Sequence, residues 1–357
     1  MNNIKGIQQA LVKKDLDALL IIDEKNQRYA AGFPFTDGAV IVGRDRAFLI
    51  TDSRYIEAAE KIAGGCCQVW LFDNQHPLMA RIREALDLLG AQRLGAEEQS
   101  LSFGRYLAFE KQLGRKLLPA QEILTTLRAS KSQEEIDSMI QAQRISEKAL
   151  EQVLHIIRPG MTEREVMAEL VYYMLKFGSE GNSFDPIVVT GKNTSMPHGV
   201  PGDTVIQNGD FITMDFGSLK NGYCSDMTRT VAVGSATDEM KNIYGIVLEA
   251  QLAGIAAARS DIPGKEIDGA ARKVIQDAGF GPCFGHGFGH SLGLDIHEPP
   301  FAGPRGEALM AENDLCSAEP GIYLPGKFGV RIEDVMILRS TGAEVITKAP
   351  KTELIIL

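Results

Sequence analysis

Residues 210–231 read DFITMDFGSLKNGYCSDMTRTV, and the fold of the second half of this 357-residue chain turns on that string. From Asp210 to Gly217 apolar and polar residues alternate with the period of a half-buried strand, which puts Asp215 on one face with Phe211 and Thr213. Asn221-Gly222 is a hairpin signal, so Tyr223 to Val231 is expected to return as the partner strand and bring Asp226 beside Asp215. Two neighbouring carboxylates repel. Such a pair marks a bound cation or a shared proton, against the plainer reading in which Asp226 caps a bulge or pairs with Arg229.

Upstream, Ser130-Lys131-Ser132 supplies a helix N-cap and Gln133-Glu134-Glu135 an acidic first turn. The helix is expected to run from Gln133 to Ile157 and stop at Arg158-Pro159-Gly160. Thr162-Glu163-Arg164-Glu165 is a capping box opening a second helix that ends near Gly178. The same arrangement recurs about a hundred residues later: a helix from Glu239 to Arg259, Ile262-Pro263-Gly264, and a second helix from Glu266 to Gly279. Each copy precedes a segment rich in acids and histidines, so the second half reads as an α+β domain with duplicated halves. Residues 1–125 read as a separate α/β domain, with strand-like runs at Ala18–Ile22, Ala39–Val42 and Ala47–Thr51 and helical stretches at Ser53–Ala63 and His76–Leu89. The boundary falls near residue 125, leaving 126–357 as the second domain.

Downstream of the second helix pair, Phe284-Gly285-His286-Gly287-Phe288-Gly289-His290-Ser291-Leu292-Gly293 spaces two histidines four apart. Four glycines forbid the helix that would make this a zincin, and they let backbone approach a ligand closely. His198, His286, His290 and His297 are four of the six histidines in the chain, and all fall in this half. Glu319 is fixed by the following Pro320-Gly321, and Val330-Arg331-Ile332-Glu333-Asp334 alternates so that Arg331 and Glu333 share a face. Asp215, Asp226, His290, Glu319 and Glu333 together make a hard, oxygen-rich ligand set. It suits manganese, cobalt(II), zinc or iron(II), and its carboxylates can bridge two ions.

Composition narrows the alternatives. A net charge of −10 and a pI near 5.2 leave no basic face for nucleic acid. No secretory signal or membrane-length apolar run is apparent, so a cytoplasmic location is expected. The five cysteines, an odd number without a C-x-x-C pair, form no disulfide framework. Cys224 and Cys283 read as packing residues rather than nucleophiles.

MDFG, GYCSDMTRT, GHGFGHSLGLDIHE, AEPGIY and GVRIED resemble the metal-site motifs of the pita-bread metallopeptidases, in the Xaa-Pro aminopeptidase and prolidase branch. Asn26-Gln27-Arg28-Tyr29, Gly32-Phe33 and the run Leu49 to Tyr55 resemble the creatinase-type N-terminal domain, so the likeness covers almost the whole chain. By that resemblance Asp215 chelates one metal ion, Asp226 and Glu333 bridge two, and His290 with Glu319 completes the second. Two divalent ions per subunit, manganese or cobalt first and zinc or iron as alternatives, are thereby implied. The resemblance also gives Glu319 a proton-relay role and makes His198 and His297 substrate-binding and oxyanion-stabilising groups. His286 and Arg331 join them as substrate-binding candidates, and Phe184 and Ile296 are candidate walls for a proline ring.

The implied substrates are short peptides with proline second. Prolidases usually place an arginine shortly after the histidine–glutamate pair, whereas here Pro299-Pro300-Phe301 follows His297-Glu298 and the next arginine is Arg305. That departure favours an aminopeptidase acting on longer peptides over a strict dipeptidase. A homodimer, with Phe33 to Asp37 leaning over the partner's site, is also implied by the resemblance alone.

Overall fold

Runs such as Ala18–Ile21 and Ala39–Gly43 are buried along their whole length, the pattern of strands covered on both faces. The computed structural model describes residues 2–357 and places these runs in the first of two units, which ends at Arg128. Its elements are α1 (Ile4–Lys13), β1 (Ala18–Ile21), α2 (Glu24–Ala31), β2 (Ala39–Gly43), β3 (Ala47–Thr51), α3 (Ile56–Ala63), β4 (Gln68–Leu71), α4 (Leu78–Leu88), β5 (Leu94–Ala96), α5 (Phe103–Leu113), β6 (Leu117–Pro119) and α6 (Gln121–Ala129). The strands form one mixed sheet in the order β4-β3-β2-β1-β5-β6. The helix expected from Ser53 starts later, at Ile56, because Asp52 turns the chain by accepting the Arg54 backbone N–H at 2.8 Å. Asn26, inside the creatinase-like motif, is a structural hub: it donates to buried Glu97 at 2.7 Å and accepts from Arg128 at 2.8 Å.

The second unit opens with α7 (Gln133–Leu154) and α8 (Glu163–Lys176); the expected capping box of Thr162 with Glu165 is present, and the Ser132 N-cap proves to be a second box, with Glu135. After them come β7 (Ile187–Thr190), β8 (Phe211–Phe216), β9 (Leu219–Lys220), β10 (Tyr223–Cys224) and β11 (Met227–Ala232). A second helix pair follows, α9 (Asp238–Ala257) and α10 (Gly264–Asp277). The chain finishes with β12 (Gly289–Ser291), β13 (Glu298–Ala302), β14 (Leu315–Ala318), β15 (Gly321–Leu324), β16 (Phe328–Arg331), β17 (Asp334–Arg339) and β18 (Gly342–Val345). Each helix pair packs on strands of its own half. Val153, Val166 and Leu170 meet Ile212, Met214 and Val231, while Val247, Ala271 and Ile275 meet Phe288, Cys316 and Met336. Among the described residues no helix is long and apolar enough to cross a membrane.

Asn221 and Gly222 both have positive φ, at 50° and 74°, as the two-residue hairpin joining β9 to β10 requires. The expected single strand from Tyr223 to Val231 is nevertheless broken at Ser225–Asp226, since β10 pairs with β9 and β11 pairs with β8. Gly217 permits the break: a Cβ there would meet the Ser225 carbonyl oxygen at 1.9 Å.

Arg229 does not pair with Asp226. Its buried guanidinium donates to Asp334 Oδ1 at 2.8 Å and to the carbonyls of Thr228, Glu333, Ala349 and Pro350. Arg229→Met is therefore expected to destabilise the protein by about 3–5 kcal/mol, because it breaks a buried ion pair, leaving Asp334 with Lys351 alone, and removes the guanidinium from four carbonyls. Urea unfolding of the full chain checks this; an unchanged midpoint would show the network to be dispensable.

Candidate metal centre

Two of the five ligand candidates are carried by strands, Asp215 on β8 and His290 on β12. The other three sit where the chain passes from one sheet to another: Asp226 between β10 and β11, Glu319 between β14 and β15, and Glu333 between β16 and β17. Their backbones find partners across the junctions. Glu319 N–H donates to the Phe288 carbonyl at 2.8 Å and Glu333 N–H to that of Thr228 at 3.1 Å. Gly289 lets β12 lie against β14, since a Cβ on it would meet the Ser317 carbonyl oxygen at 2.0 Å. The His290 N–H then reaches Ser317 Oγ at 3.0 Å.

Ligand atoms of Asp226, His290 and Glu333 lie within 4.8 Å of one another. His290 Nε2 is 3.6 Å from Asp226 Oδ2 and 3.3 Å from Glu319 Oε1. Its other nitrogen, Nδ1, lies 3.2 Å from the Ser291 carbonyl. That contact favours the Nδ1–H tautomer and leaves the Nε2 lone pair aimed at the carboxylates. Burial lowers the ring's pKa to about 3, so the imidazole is neutral. Asp215 Oδ2 accepts from Arg331 Nη2 at 2.6 Å, while its Oδ1 is buried with no hydrogen-bond partner. Burial first, and then the neighbouring carboxylates, push the Asp226 and Glu333 carboxyls well above their ordinary range; Glu319, chiefly through burial, is pushed up to about 8. A neutral imidazole lone pair, an orphaned carboxylate oxygen and crowded acids fit a bound divalent cation, which would relieve all three.

His198, His286, His297, Phe184, Ile296 and Arg331 line one cavity of about 850 Å³ together with all five ligand candidates. The His297 ring is exposed and stands 4.3 Å from that of His290, edge to face at 67°. His286 has both ring nitrogens engaged, Nδ1 with the Gly287 carbonyl at 2.8 Å and Nε2 with the Tyr323 hydroxyl at 2.9 Å. Arg331 is equally committed, donating to Asp215, Thr228 Oγ1, the Tyr323 hydroxyl and the Pro197 carbonyl.

Sequence reasoning passed over several residues that shape the site. The Thr228 hydroxyl donates to Glu333 Oε2 at 2.7 Å, and Tyr323 joins His286 to Arg331. Both lie inside quoted motifs, and strand alternation from Asp226 would have turned Thr228 toward it. Lys131 gave no signal. Its buried ammonium reaches Asp314 at 2.7 Å and Glu298 at 3.6 Å, which fixes the strand behind His297.

The profile of metallopeptidase family M24 matches residues 137–340, and that of the creatinase/prolidase N-terminal domain matches residues 3–130. The Xaa-Pro dipeptidase of Pyrococcus horikoshii is 34% identical over 350 residues, 98% of this chain and 97% of that protein. Among solved structures, an Xaa-Pro dipeptidase from Bacillus anthracis superposes with a TM-score of 0.95 at 41% identity, covering 99% of each chain. An X-Pro aminopeptidase from Thermotoga maritima superposes with a TM-score of 0.92 at 34% identity, covering 98% of this chain and 99% of that one.

Proposed function

Because the chain belongs to metallopeptidase family M24 and carries a creatinase/prolidase N-terminal domain, we propose that it is an Xaa-Pro aminopeptidase using two divalent metal ions. The observation that carries this reading is the convergence of the Asp226, His290 and Glu333 ligand atoms within 4.8 Å, beside the unpartnered Oδ1 of Asp215. Asp215, Asp226, His290, Glu319 and Glu333 would hold the ions, with Asp226 and Glu333 shared between them. Manganese or cobalt suits four carboxylates and one imidazole best, with zinc or iron as alternatives. When bound, such ions supply Lewis acidity toward a carbonyl and toward water at neutral pH.

The chain's own groups do the rest. Glu319 lines the cavity with its Oε1 3.3 Å from His290 Nε2, so its carboxylate is placed to carry a proton from the attacking water to the departing proline nitrogen. His198 and His297 line the cavity, and a ring N–H from each would donate to the carbonyl oxygen as negative charge develops there. Partial desolvation on the cavity wall, and then the neighbouring His198, lower the His297 pKa, which favours a neutral ring that donates one N–H. Phe184 and Ile296 give the apolar wall a proline ring needs, and Arg331 holds Asp215 in place. Replacing His198 or His297 with alanine should lower kcat by about 10²–10³ while metal content stays at the wild-type level. Elemental analysis beside steady-state kinetics checks this, and metal loss in either variant would make that histidine a ligand.

Phe301 stands four residues after His297, half-exposed on the cavity wall, and offers no charge to a substrate carboxylate. That favours peptides longer than two residues. The second reading, an Xaa-Pro dipeptidase, is favoured by exposed Arg305 on the same wall and by the 41% identical relative of that name. Comparing kcat/KM on Xaa-Pro dipeptides and Xaa-Pro-Xaa tripeptides separates them: the aminopeptidase reading expects the tripeptide to win, and a dipeptide preference overturns it.

A further inference from the structure

Among the described residues the His198 ring makes no hydrogen bond and is exposed, so its place on the cavity wall is set by the loop that carries it. That loop leaves β7 at Thr190, passes through a 3-10 turn over Gly191–Ser195, and returns to the start of α8 near Gly202. Glu163, the first residue of α8, is 1% exposed and turns its carboxylate into the mouth of the loop. Its Oε1 accepts from the Thr190 N–H at 2.8 Å and from Asn193 Nδ2 at 2.9 Å. Its Oε2 accepts from the Gly202 N–H at 2.9 Å. One buried carboxylate thus ties the outgoing arm of the loop to the returning arm.

We propose that Glu163 is a positioning residue for His198, closing both ends of the 190–202 loop so that the imidazole is held over the metal-ligand cluster. An ionised carboxylate suits three N–H donors because it offers only acceptors and makes strong charge-assisted bonds. The loop's middle is held elsewhere. Thr194 Oγ1 accepts from the Gly329 N–H at 2.8 Å, and the Pro197 carbonyl accepts from Arg331 Nη1 at 3.3 Å. Since Arg331 also binds Asp215, the arms fixed by Glu163 set the span over which His198 and the ligand cluster keep register. Glutamine at 163 keeps an acceptor for one arm but turns an amide N–H toward the other; alanine removes the side-chain tie to both and leaves the returning arm only its backbone bonds to the start of α8 and the Asn193–Thr204 link.

The inference rests on the peptidase reading for the task of His198, though not for the clamp itself. In full-length protein loaded with manganese, E163A should lower kcat about 10²-fold, the scale of a misplaced catalytic group. KM and metal content should change little, and E163Q should lose less. The double variant E163A/H198A should be no slower than H198A, because both substitutions remove the same contribution. Wild-type kcat in E163A, or losses that multiply in the double variant, would overturn the proposal; should E163A fail to fold, E163Q with H198A completes the cycle. Hydrogen–deuterium exchange gives a readout that needs no turnover: amides of residues 190–202 should exchange faster in E163Q than in wild type. Unchanged exchange would refute the clamp even in an active enzyme, whereas faster exchange in a chain that cleaves no Xaa-Pro bond would refute only the peptidase reading.

Discussion

Asp226→Asn or Glu333→Gln is expected to abolish peptide hydrolysis and to strip the protein of most of its metal. Both side chains are buried, at 4% and 1% exposure, and each sits among the other carboxylates of the cluster. Proposed as the two bridging ligands, they supply the negative charge that keeps two cations together in a poorly hydrated site. An amide keeps the shape but not the charge, so the cations would repel without compensation. Metal assistance is worth several kcal/mol of barrier, which is about 10³-fold or more in rate. Elemental analysis and kcat on the purified variants check this. Near-normal turnover with two metal ions in either variant would contradict the assignment of that residue as a bridge.

Chelation is the second large effect. Treated with a strong chelator, the wild-type protein should lose activity, and manganese or cobalt should restore it, because the hydroxyls of Ser225, Thr228, Thr230 and Ser291 in the motifs are buried and already hydrogen-bonded. Cys224 is 2% exposed, its thiol turned toward the Leu294 carbonyl. Full-rate cleavage by chelated protein would reopen Cys224 and Cys283 as nucleophiles. The chelated protein should remain folded yet acquire a particular pH dependence. Glu319, at about 8 in the metal-free fold, binds its proton more tightly folded than unfolded, where the ordinary value is 4.5. The stabilisation from that proton is complete below the unfolded value and is lost as pH rises through about 8. Above about pH 7.5, roughly one unit over the ordinary histidine value, His286, His290 and His297, whose values the fold lowers, are largely neutral folded or unfolded, so the carboxyls dominate and the thermal midpoint should fall as pH rises further. Metal restores charge balance and should flatten the slope; a midpoint rising with pH over that range in the chelated protein would contradict these shifts.

Much of this architecture was legible because local rules agree with the fold. Alternation over Asp210–Gly217 is enough to put Asp215 in a strand, and Asn221-Gly222 makes the hairpin it signals. The Ser132 and Thr162 N-caps start the helices expected of them. What the sequence obscured is set by which segments come into contact. Alternation made one strand of Tyr223–Val231 and another of Val330–Asp334, but each breaks where the chain changes sheets, at Asp226 and at Glu333. On either side of each break the strands take different nearby partners, β9 and then β8 around Asp226, β15 and then β14 around Glu333, and periodicity carries no trace of that choice. The buried polar links are hidden for the same reason. Lys131 meets Asp314 across 183 residues, and Arg331 reaches Asp215 across 116. Glu163 looked like helix-start chemistry, and only the folded loop reveals its carboxylate as an acceptor for Thr190, Asn193 and Gly202.

The most direct test of the central claim, a two-metal centre built from these five side chains, is anomalous diffraction from crystals of the wild-type protein grown with manganese. The account predicts two anomalous peaks about 3.5–4 Å apart, enclosed by Asp215, Asp226, His290, Glu319 and Glu333, with His198 and His297 outside coordination distance. A single peak, peaks elsewhere on the chain, or His297 in place of His290 beside the metal would contradict it.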